Sequence, residues 1–89
     1  MAKFLVLVTF TSQELRVQHR PAHREHLYAN AASGKLVMAG PFADDSGGVI
    51  IFDATNEGEV QAIMAEDPFM KEGVFGSVEI KEFTQVAGA

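Results

Sequence analysis

The chain has 89 residues, 47% hydrophobic and 21% charged, with no Cys and a formal net charge of −5. A single domain this short buries only about 60% of its unfolded surface, so its core is small and a spare apolar face calls for a partner. The composition excludes a disordered chain and a disulfide scaffold, and the excess of carboxylates argues against nucleic-acid binding, which needs clustered cations.

Lys3 to Phe10 (KFLVLVTF) is rich in β-branched and aromatic residues and predicts a first strand. Its apolar run is far shorter than the ~20 residues that cross a bilayer, and no small-residue cleavage site follows, so no membrane contact and a cytoplasmic location are expected. Thr11 and Glu14 have capping-box spacing, but Pro21 interrupts the stretch. The main helix is therefore expected to restart at Pro21, run to Ser33 and close at Gly34. Lys35 to Gly40 is a second strand, stopped by Gly40-Pro41. Asp44 to Gly48 is a turn, and Gly48 to Phe52 a third strand. Asn56 and Glu59 form another capping box, opening a helix through Glu66. Pro68 bars its continuation and pushes Asp67 toward extended geometry. Val74 to Phe83 is the fourth strand. Residues 1–84 are expected to form one domain and 85–89 a short tail.

The order βαββαβ predicts a ferredoxin-like α+β fold: a four-stranded antiparallel sheet with two helices on one face. Right-handed crossovers place strands one and two parallel, with strand three between them. Leu5 to Val8 and Val49 to Phe52 are apolar on both sides, as in strands covered on both faces. Helices cover one face only, so a homodimer or larger assembly is expected to bury the other.

This topology brings the start of the first helix near the end of the second. His23 and Asp67 fall on sheet-facing stripes at the same end of the sheet. A His and a carboxylate meeting in apolar surroundings form a candidate acid/base pair; the same geometry also suits a purely structural hydrogen bond. Strand two ends there at Gly40-Pro41, and strand four brings Ser77 near. Arg20, Ser77, Gly40, Pro41 and Phe69 are the candidate substrate-binding residues, with Phe69 more at home in the core than in a pocket wall. His19, His23 and His26 are spaced like a metal comb, but without further ligands no metal site is expected. The glycines at Gly47-Gly48 lack nucleotide-binding spacing. Five cations against two carboxylates in residues 1–40 give a local +3. That is either one solvated surface or a basic mouth for a small anion.

The segments Arg20-Pro-Ala-His23-Arg-Glu-His-Leu27, Gly34 to Pro41, Asp67-Pro68-Phe69 and Gly73-Val-Phe75 together resemble the YciI-like (YCII-related) domain family. The resemblance implies a dimeric ferredoxin-like fold related to the dimeric α+β barrels. It implies an active site centred on His23 and Asp67, with Arg20 matching the Arg commonly found three residues before that His. It further implies cofactor-free proton abstraction on a small hydroxylated or chlorinated aromatic-derived substrate, in a dehydrohalogenase, lyase or isomerase. The competing expectation is a non-catalytic module that binds a small ligand or joins a complex.

Overall fold

Alternation in the first strand sets the layers. Phe4, Val6 and Val8 are buried and point to one side, while Leu5 and Leu7 between them are only partly covered. In the computed structural model, which describes residues 1–88, the elements are β1 (Ala2–Phe10), α1 (Gln13–Ala32), β2 (Leu36–Pro41), β3 (Gly47–Ala54), α2 (Glu57–Ala65), α3 (Pro68–Lys71) and β4 (Phe75–Phe83). The expected tail is thus described only as far as Gly88. The strands form one antiparallel sheet in the order β2-β3-β1-β4. This is the ferredoxin-like arrangement, with β1 and β2 parallel and β3 between them. The core packs Val6, Phe52 and Ile50 of the sheet against Val60 and Met64 of α2 and Phe69 of α3.

The main departure from the sequence reading is α1. It is one unbroken helix from Gln13, not a helix restarting at Pro21. Its N-cap is Ser12, whose Oγ accepts from the Leu15 amide at 3.2 Å. Thr11 instead donates to the Gly73 carbonyl at 2.7 Å. A mid-helix proline removes one N–H and normally kinks or breaks the helix. Here Pro21 and Val17, whose carbonyl loses its partner, both lie on the exposed side, where that carbonyl can turn to water. The closure is as expected. Gly34 has φ 84°, the Lys35 amide reaches Asn30 O and the Gly34 amide reaches Ala31 O, the paired bonds of a Schellman motif.

The helix from Asn56 also forms as expected. Asn56 Oδ1 accepts from the Glu59 amide, while Glu59 Oε1 reaches back to the Thr55 amide, each at 3.0 Å. The Thr55 amide, helped by Lys35, holds the Glu59 carboxyl below its ordinary range. Asp67 is extended, with ψ 127°, but the chain after it makes the short helix α3, a third helix that the sequence reading did not contain.

Two local features shape the sheet. Gly47 and Gly48 are buried, and a Cβ on Gly47 would collide with the Val8 carbonyl, while one on Gly48 would lie 2.6 Å from Gly40 O. β4 carries a bulge, with Gly76 and Ser77 together opposite Thr9. The extra residue turns Phe75 onto the helix side, where it is buried. The other side of the sheet bears Leu5, Leu7, Val49, Ile51 and Met38, and among the described residues no helix covers it.

Gly47→Ala should lower stability by about 1–3 kcal/mol, read as a fall in urea midpoint, because the clash is with backbone and cannot relax by a rotamer change. A carboxyl whose folded pKa is depressed adds stability above its unfolded pKa and loses it as pH falls through the folded one. The parent should therefore be more stable than Glu59→Gln at neutral pH, and their urea midpoints should converge in acid. A gap that persists or widens in acid would contradict this.

Candidate active site

Asp67 is the N-cap of α3 and is fully buried. Its Oδ1 accepts from the Phe69 amide at 2.9 Å. The same carboxylate faces His23 Nδ1, at 2.8 Å from Oδ1 and 2.9 Å from Oδ2. His23 sits in the third turn of α1, on the stripe that meets the sheet, so the pair joins α1 to the turn between α2 and α3. In the neutral ring, with the carboxylate as acceptor, Nδ1 carries the hydrogen and Nε2 the lone pair. Among the described residues, Nε2 has no partner.

The ring is held on its face as well as its edge. His23 stacks on Phe69 with centroids 3.8 Å apart and planes 3° from parallel. Phe75, brought inward by the bulge, stands edge-on to both rings, at 6.0 Å from His23 and 5.6 Å from Phe69. Phe10 closes the cluster against Phe69 and Phe75. His23 thus borders a cavity of about 300 Å³ between α1 and the β2–β3–β1 part of the sheet.

The structure brings His23, Arg20, Gly40, Pro41 and Phe69 to this one cavity, with Asp67 directly behind His23. It does not bring Ser77 there. Val78 faces the helices opposite Val8, so its neighbour Ser77 faces the other side of the sheet, where its Oγ lies 2.9 Å from Thr9 Oγ1. The three histidines diverge: His19 lies 3.9 Å from Glu72, His23 meets Asp67 and His26 borders Asn30. Among the described residues, no group of three or more His, Asp or Glu is placed to hold a metal.

Two charged cavity residues were not singled out from sequence. Arg16 is 6% exposed, with its guanidinium 4.2 Å above the Phe10 ring and 3.0 Å from Asp45 Oδ1. Asp45, at φ 61°, belongs to the β2–β3 loop, so Arg16 ties that loop to the cavity wall. Arg24 lines the cavity one turn beyond Arg20. Arg16, Arg20 and Arg24 fall four apart, a signal that the expected break at Pro21 concealed.

Residues 2–84 match the family described as the YCII-related domain. The chain belongs to the YCII-related domain family. It is 30% identical over 78 residues to the uncharacterized protein YjpA of Bacillus subtilis, covering 88% of this chain and 91% of that one. Among solved structures, this YCII-related domain resembles a 5-chloro-2-hydroxyhydroquinone dehydrochlorinase from Burkholderia phenoliruptrix in complex with 2,5-dihydroxybenzoquinone. The TM-score is 0.80 at 25% identity, covering 92% of this chain and 93% of that one. It shares its fold with an antibiotic biosynthesis monooxygenase, at a TM-score of 0.60 and 10% identity over 96% of this chain and 99% of that one.

Removing the buried carboxylate strands two donors, the Phe69 amide and His23 Nδ1. Asp67→Ala should therefore cost about 3 kcal/mol by urea denaturation. Asp67→Asn keeps an acceptor for one donor and should cost less. Equal losses in the two variants would mean that hydrogen bonding at this carboxylate is not what stabilises the turn.

Proposed function

We propose that this chain is a small cofactor-free enzyme that uses His23 as a general base on a hydroxylated or chlorinated aromatic-derived substrate. The observation that carries the reading is the division of the imidazole. A buried carboxylate holds Nδ1, and Nε2 is left at the wall of a ligand-sized cavity. Asp67 orients the ring and stabilises the imidazolium that forms when Nε2 takes a proton. The Phe69 stack fixes the ring plane, so little reorganisation accompanies the transfer. Arg20, which lines the same cavity, would stabilise negative charge developing on a substrate oxygen.

Loss of HCl from such a substrate asks for these parts. A base removes a hydroxyl proton, and the oxygen's charge moves into the ring as a proton is delivered to the chlorine-bearing carbon. Loss of a second hydroxyl proton then expels chloride with the C–Cl bonding pair to leave a hydroxyquinone, so that HCl is lost in sum. The likeness to a dehydrochlorinase supports this class of reaction, and an isomerase would use the same first step. The uncovered apolar face is, in this reading, where a second copy packs, since no helix among the described residues lies on that side of the sheet.

The test is chloride release from 5-chloro-2-hydroxyhydroquinone by the parent, His23→Gln and Asp67→Asn. Each variant should lose at least about a hundredfold in kcat/KM while keeping its circular dichroism spectrum. Variants as active as the parent would refute the base assignment. Saturable binding without turnover by the parent would make the chain a ligand-binding module instead.

A further inference from the structure

We propose that Arg20 and Arg24 form a clamp for a planar organic anion, so that the ligand of this cavity arrives already charged. The proposal rests on the reading of the cavity as a small-molecule site, but not on turnover there.

The argument begins with the placement of the cations. The chain has seven Lys and Arg against twelve Asp and Glu. Lys3 pairs with Asp53, Arg16 with Asp45, Lys35 with Glu59, Lys71 with Glu66 and Lys81 with Glu79, all at 2.7–3.3 Å. Among the described residues, Arg20 and Arg24 alone have no carboxylate. They are also the two that line the cavity without being tied to a loop. In a chain of net −5, carboxylates are plentiful, yet none is set against this pair.

The spacing strengthens the point. Residues four apart on a helix are neighbours, and like charges there repel, so the pair disfavours the empty helix. A bound anion would reverse that effect. The other carboxylate of the site, Asp67, is committed to His23 and the Phe69 amide. Beyond Arg16, which is paired with Asp45, and the rings of His23 and Tyr28, the wall is apolar or backbone, as at Val8, Ile50, Phe75 and Gly40-Pro41. A volume near 300 Å³, at the lower end for ligand pockets, suits a single ring. Guanidinium groups match a delocalised two-oxygen anion edge to edge. That chemistry is shared by an aromatic carboxylate and by the enolate of a hydroxyquinone.

The experiment is a titration followed by backbone amide NMR, with Gly40 as a local reporter. Benzoate and 2,5-dihydroxybenzoquinone supply the two anion types, and benzamide is the neutral match for benzoate. The parent should bind at least one of the anions about tenfold more tightly than benzamide, and added NaCl should shrink the difference. Arg20→Gln/Arg24→Gln should reduce it to within about twofold, while Lys71→Gln, a change at a surface ion pair, should leave it intact. Which anion binds identifies carboxylate or enolate as the source of the charge. His23→Gln should keep the anion preference while losing turnover, so a failure of the base assignment and a failure of the clamp are separately visible. Equal binding of anions and benzamide, no saturable binding of either anion, or a preference that survives in the double Arg variant would overturn the proposal.

Discussion

The Asp67 carboxylate is the constraint on which the site depends. It accepts from the first helical amide of α3 that it can reach and from His23 on α1, so one buried group fixes a turn and an imidazole together. Burying a carboxylate is costly unless its lone pairs are met. Here the folding requirement and the site requirement coincide, because the donors that make Asp67 tolerable are the ones that position His23. A stability effect at Asp67 therefore does not argue against a chemical role, and neither effect stands in for the other.

The second constraint is steric. Phe69 and Phe75 meet the imidazole by face and edge while Phe10 braces both of them, and Phe75 is in that group only because β4 gains a residue at Gly76-Ser77. Ser77 faces the far side of the sheet by ordinary alternation from Val78, so the bulge decides which aromatic ring enters the site but not which hydroxyl stays out of it.

These two cases show how far the sequence could be read. The strand order, the Schellman closure at Gly34, the Asn56 cap and the convergence of His23 with Asp67 follow from hydrophobic period, capping chemistry and handed crossovers, all of which are local or topological rules. What escaped the reading depends on tertiary context. Pro21 reads as a helix start by its own chemistry; only its exposed position lets α1 run through it. The bulge has no sequence mark beyond Gly76, so the entry of Phe75 could not be read. Ser77 was expected near the site only because strand four starts at that end, although alternation from Val78 turns it away. Arg16 was hidden by the first of these, since a helix starting at Pro21 leaves it off the stripe that carries His23. The short helix α3 is held by Asp67 and its own closing bonds rather than by any periodicity that four residues could display.

The continuity of α1 also bears on which lengths of chain this site could tolerate through evolution. Arg16, Arg20, His23 and Arg24 share one rigid rod, so their relative directions are fixed by residue count alone. One residue inserted between Arg16 and His23 would turn everything on one side of it by about 100° relative to the other. Arg16 would then leave Phe10 or His23 would leave Asp67. By contrast, extra residues in the loop after Pro41 would alter only the span that Arg16 must reach. Length variation among relatives that keep this site is therefore expected in the β2–β3 loop and forbidden between positions 16 and 24.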